Sequence, residues 1–322
     1  MNLSRNLAIA LALSATTACT SLPDTSGYTA ASLQLKQSAA AAGSVLEAEL
    51  GRMAEYLPAD RRDGVGATVQ RFGAAWGTTV ASLDAMARYA ESIEEITAAG
   101  NDGGAAARGV AQGIQQLAGA VGLVPGAAVA TLATDTAAAI YTQIANVRAS
   151  RSLVRSLDAA EPIIRDVAVV VTGQVDAAAR MFNNLISAER SVLEADMEDV
   201  LRIDQRLEQQ EKQLGQHFAA LSEESGPAAA RAAAQAELDR VRNGRSAIAP
   251  RIAAYNAARA ALGARETAGA ELFAATRLAL TTWESAHQKM TTAIRERRPV
   301  TFQSLQAAAT DVRAILERWR DL

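Results

Sequence analysis

Cysteine is almost missing from this chain of 322 residues: Cys19 stands alone, so no disulfide can form within one molecule and stability must come from packing. Histidine is nearly as scarce. His217 and His287 lie far apart, outside any His-Glu-x-x-His arrangement for zinc. No G-x-S-x-G elbow, phosphate-binding loop or dinucleotide fingerprint occurs either, so the chain reads as a non-enzyme, with no cofactor and no small-molecule substrate in evidence. Net charge is only −3, and no basic stripe carries interleaved aromatics, which excludes a strong electrostatic pull on nucleic acid. Aromatics make up 4% of the residues, and the alternating Val/Ile/Thr runs that mark strands are nearly absent. Alanine fills the space instead, at about a quarter of the chain. It is the strongest helix former because it loses no side-chain entropy, so the composition predicts an all-α protein.

The N-terminus carries an address. Arg5 precedes a short apolar run, Leu7 to Leu13, too short to span a bilayer as a mature helix. Ala15-Thr16-Thr17-Ala18 then supplies small residues for a signal peptidase, and Cys19 follows directly. This arrangement resembles a bacterial lipoprotein signal peptide and lipobox, although Thr16 stands where Leu is usual. The resemblance covers only the signal. It implies removal of residues 1–18, lipidation of Cys19, and attachment to a membrane through the N-terminal lipid. Thr20 rather than Asp follows the cysteine, which points to the outer membrane, on its periplasmic side, with surface exposure left open. Residues 19–27 then read as the lipidated cysteine and a short tether, with Pro23 and Gly27 as breakers.

Helical periodicity begins at Tyr28. Leu33, Leu35, Ala39, Leu46, Leu50 and Leu57 lead to Pro58, which stops the first helix, and Asp60 is placed to cap the second. That second helix carries Phe72, Trp76, Leu83, Met86, Tyr89 and Ile93 to about Ala99, before the turn Gly100–Gly104. A third stretch runs to about Ala160 with a break expected at Pro125. Residues 28–160 form an N-terminal hairpin region on this reading, and 161–322 a long C-terminal hairpin plus a terminal helix. Glu161-Pro162 opens the long helix, whose later seam is Leu193, Met197, Val200, Ile203, Leu207, Leu214, Phe218 and Leu221. After a turn near Gly226, Leu238, Val241, Ile248, Ile252, Tyr255, Leu262, Phe273, Leu280, Trp283, Met290 and Ile294 repeat at three-four spacing. Arg245, Arg259, Glu266, Gly269, Thr276 and His287 interrupt that seam, and Gly244 and Pro250 are expected to bend it. The expected architecture is an elongated bundle of long antiparallel helical hairpins with coiled-coil-like seams.

Three features offer chemistry. His287 sits on the apolar seam near Trp283 and Met290, as a hydrogen-bonded core histidine would. The acidic run Glu189–Glu211 is either a cation site or a solvated face, and Arg190, Arg202 and Arg206 at helical spacing favour the ion-paired face. The third is Gly109–Thr134, free of charge and bounded by Arg108 and Asp135. Gly109, Gly113, Gly119, Gly122 and Gly126 would let helices approach closely. Gln112, Gln115, Gln116 and Pro125 speak against a stable membrane span, so a buried helix packed through small residues is the leading reading. The expected function is therefore a helical envelope lipoprotein with a structural or interaction role, its partner another envelope protein. The alternative is a membrane-active protein whose 109–134 segment inserts, resembling the α-helical pore-forming toxins of bacteria in architecture alone.

Overall fold

The computed structural model describes residues 22–55, 59–99, 103–122, 152–221 and 227–322. Among these the chain is all helical: α1 (Ser26–Glu55), α2 (Ala59–Ala99), α3 (Gly103–Ala120), α4 (Leu153–Ala220), α5 (Ala228–Glu296) and α6 (Gln303–Arg320). The 68 residues of α4 and 69 of α5 make each about 100 Å long at 1.5 Å per residue. They run antiparallel along their whole length and form the spine of the molecule.

Several helix limits differ from the sequence expectation, each for a local reason. Ser26 and Gly27 belong to α1 rather than to the tether. Asp24 accepts a hydrogen bond from the Ser26 N–H, and the Thr25 carbonyl accepts from Tyr28 and Thr29. Gly27 is there for closeness, because a Cβ on it would lie 3.2 Å from the Phe302 ring. The second helix begins at Ala59, so Asp60 lies inside its first turn instead of capping it. The long helix starts at Leu153, where the Ser152 hydroxyl accepts from the Arg155 N–H, and Pro162 lies within it. It therefore crosses the 160/161 boundary expected between the two halves. The return helix stays helical through Gly244 and Pro250, and ends where Arg297 turns left-handed (φ 51°) and the Arg298 N–H bonds to Ala293.

Packing divides the spine into two parts. From Leu153 to Ile186 and from Leu262 to Ile294 it belongs to one continuous core with α1, α2, α3 and α6. Helix α1 runs against α2 and α6, while α3 packs on α2 and α4. Rings set the spacing. Tyr28 stacks on Trp283 with centroids 5.6 Å apart, and Phe182 lies 5.9 Å from Phe273 and 5.5 Å from Trp319. Beyond Glu189 the spine leaves the bundle as a bare two-helix hairpin. Met197, Val200 and Tyr255 form a small separate cluster there, with Leu193, Leu201, Ile248 and Ile252 packed partly against it, and Ala234, Leu238 and Val241 are buried nearer the tip.

Candidate functional site

The histidine on the seam is sealed in the core. Its Nε2 shares a 2.7 Å hydrogen bond with the Tyr89 hydroxyl, and both residues are fully buried. Burial holds His287 down to about 3 and pushes the Tyr89 phenol well above its ordinary value, so both stay neutral. Trp283 donates to the Ser32 hydroxyl at 3.0 Å, and Ser32 in turn donates to the Tyr28 carbonyl. This polar knot ties α1 and α2 to α5. His217 sits exposed on the projecting hairpin, remote from it in the fold.

The glycine-rich segment divides at Gly122. Its described part, α3 and the turn after it, is an amphipathic helix docked on the bundle, with Val110, Ile114, Leu117 and Val121 buried. A Cβ on Gly109 would lie 3.0 Å from Ile96, and one on Gly113 3.0 Å from the Tyr89 ring and 3.4 Å from its Cα. These two are close-approach glycines. Gly119 faces solvent, and Gly122 (φ 76°) is the left-handed residue that closes the turn after α3, ahead of Pro125. Gly126 and the rest of the segment to Thr134 lie outside the described residues, as does Cys19. No described helix is long and apolar enough to cross a membrane.

Within the acidic run Glu189, Glu198, Asp199, Asp204 and Glu211 are ion-paired, and among the described residues no group of three or more His, Cys, Asp or Glu is placed to hold a metal ion. Arg202 pairs with Glu198 and Asp199 on its own helix. At the point where the hairpin leaves the bundle, consecutive residues pair on opposite flanks of the seam. Glu189 and Arg265 turn toward α1, where Arg265 meets Glu49 at 2.9 Å, and burial raises the Glu189 carboxyl against the pull of Arg265. Arg190 and Glu266, one residue on in each helix, pair on the outer flank.

That outer flank is the feature with no partner among the described residues. Helices α1, α2, α3 and α6 pack elsewhere on the spine, and a ladder of cross-helix ion pairs follows its open side. Asp158–Arg295, Arg165–Glu284 (3.6 Å) and Asp176–Arg277 (2.8 Å) lie along the bundle. Arg190–Glu266, Asp204–Arg245 (3.2 Å) and Glu211–Arg242 (3.0 Å) continue it onto the hairpin. Two of the few large apolar side chains exposed in the described chain, Val169 (66%) and Leu278 (58%), lie one on each of these helices, Val169 one turn from Arg165 and Leu278 next to Arg277. A shallow groove between the arms, floored by Leu201 and Tyr255 and rimmed by Glu194 and Glu198, opens where the ladder passes onto the hairpin. Pairing between arms so distant in sequence left no local signal, whereas the polar breaks in the seam at Arg245 and Glu266 were its trace.

Comparison with known proteins adds no relative: no protein family, curated protein or solved structure matches the chain.

Proposed function

We propose that the chain is an outer-membrane lipoprotein, held on the periplasmic side by acylated Cys19, whose helical body presents the projecting hairpin to another envelope protein. One geometric observation carries the reading: the start of α1 and the tip of the hairpin lie at opposite ends of the spine. Thr25 bonds to Thr97 at the far end of α2, Ser32 meets Trp283, and Glu49 meets Arg265, so α1 runs antiparallel to α5 and ends where the hairpin departs. Roughly 90 Å of helix separates the start of α1 from the end of α4 at 1.5 Å per residue. Leu22 already packs on the core and Thr25 is buried, so little chain intervenes between Cys19 and the bundle. A molecule anchored there carries its hairpin away from the lipid surface.

The test has two arms. Cys19→Ala should abolish acyl labelling and release the chain from membranes that retain the native protein after high-salt washing, since stable anchoring takes more than one acyl chain. A photo-crosslinker at Gln216, near the tip, should capture an envelope protein that one at Arg88, on the bundle, does not. Unchanged membrane partition of the alanine variant defeats the anchor; equal capture from both positions defeats the role of the hairpin.

A further inference from the structure

We propose that the open, ion-paired face of the α4–α5 spine is a docking surface for a second copy of this chain, laid alongside in parallel about a twofold axis running along the ladder. Every rung joins one acid to one base across the two helices, but the sign on α4 changes along the spine: Asp158 is negative, Arg165 positive, Asp176 negative and Arg190 positive. A parallel twofold lays α4 over the partner's α5 at the same height. Each acid then faces a base of the other copy at every rung, whichever helix carries it. An antiparallel pair instead lays α4 over α4 with heights reversed, which at full overlap sets Asp158 against Glu211 and Arg295 against Arg242. The ladder is self-complementary throughout only in the parallel arrangement, and charge complementarity of this kind fixes register.

Three further observations fit that occupant. Val169 and Leu278 supply exposed apolar contacts beside the rungs at Arg165 and Arg277. Among the described residues, α1, α2, α3 and α6 contribute to no rung of the ladder, which leaves it free to meet a second spine. Area suffices as well. A strip about 20 Å wide, two helix diameters, over half of a 100 Å spine gives roughly 1,000 Å² per copy, above the ~800 Å² per partner of a standard interface. Pairing through the ladder needs no lipid on Cys19, and a parallel pair leaves both α1 helices starting at one end.

The chain from Thr20 onward contains every described residue and serves for the test. Sedimentation should give a dimer at or below about 100 μM, weakened by salt because the rungs are partly exposed. Leu278→Glu should give a monomer of unchanged helicity. The decisive variant reverses two rungs at once: Asp158→Arg, Arg295→Asp, Asp176→Arg and Arg277→Asp. Each rung is restored within the chain, so this protein should pair with itself as wild type does. Mixed with wild type it sets like charges together at both rungs, and the mixed dimer should be weaker by at least about tenfold. Spin labels at Gln216 should lie within roughly 30 Å of each other in the parallel pair, given helix spacings of 8–10 Å. A wild-type monomer at 100 μM, free mixing of the reversed protein with wild type, or labels more than about 60 Å apart would overturn the proposal.

Discussion

A buried imidazole that keeps its neutrality makes folding depend on pH in a window where few other groups titrate. His287 is fully buried against Tyr89 and is held down to about 3 from an ordinary 6.5. Below pH 6.5 the unfolded chain therefore binds a proton that the folded chain refuses. The sign follows: the contribution is fully present above pH 6.5 and is lost as pH falls from there toward 3, by about 1.4 kcal/mol per unit. Glu189 works the other way, because burial raises its carboxyl and the folded state takes its proton first on acidification. Difference isolates the histidine. Between pH 6.5 and 5.5 in urea unfolding, the wild type should lose about 1 kcal/mol more than His287→Gln, whose amide can still bond Tyr89 and does not titrate. Parallel pH profiles for the two proteins would show that His287 charges in place. The packing around this pair also explains Gly113: a side chain there would press on Tyr89, which cannot yield without breaking its bond to His287.

Elements differ in how much core holds them. The hairpin beyond Glu189 relies on Met197, Val200, Tyr255, Leu238, Val241 and half-buried neighbours between two helices alone, while the same helices inside the bundle are packed from several sides around Phe182, Phe273, Leu280 and Trp283. Local opening follows local burial. Hydrogen exchange should therefore be faster at Leu207–Leu221 and Ala228–Val241 than at Leu272–Ile294, and Val110–Val121 in α3 should be protected like the bundle. Fast exchange in α3 would revive the reading of that segment as a concealed membrane-inserting helix. The seams were legible because burial on a helix repeats every three or four residues: Leu238, Val241, Tyr255, Leu262, Phe273, Leu280, Trp283, Met290 and Ile294 are all buried. The interruptions in that series were legible as interruptions only. Gly269 admits the Phe182 ring, Thr276 donates to the Leu272 carbonyl, and Arg245 and Glu266 are rungs of the ladder. Each depends on which distant residue stands opposite, and one-dimensional periodicity carries nothing about that. Pro162 misled for a related reason: α4 was already capped at Ser152, and the surrounding core holds the helix through the missing donor.

At the scale of the whole molecule, the continuity of α4 and α5 turns local packing into reach. No joint interrupts either helix where the bundle ends, and the Glu49–Arg265 pair, with side chains only 12% and 13% exposed, ties α1 to the spine at that level. The hairpin is thus a direct continuation of the bundle helices, and its length sets how far the tip stands from the start of α1. Length can be changed without disturbing the seam by removing whole heptads from both arms at matching heights. Deleting Val200–Gln213 together with Glu237–Pro250 takes two heptads from each arm, about 21 Å of reach, and removes the outermost rungs with them. The bundle core should be unaffected, and small-angle scattering should show the longest dimension falling by about 20 Å from a little over 100 Å. If the hairpin serves to meet an envelope protein at a set distance from an acylated Cys19, a crosslinker at Gln216 should lose its capture in the shortened chain while acyl labelling persists. Capture of the same protein at full yield by the shortened form would mean that the contact is made along the sides of the spine, and the reach of the hairpin would have no part in it.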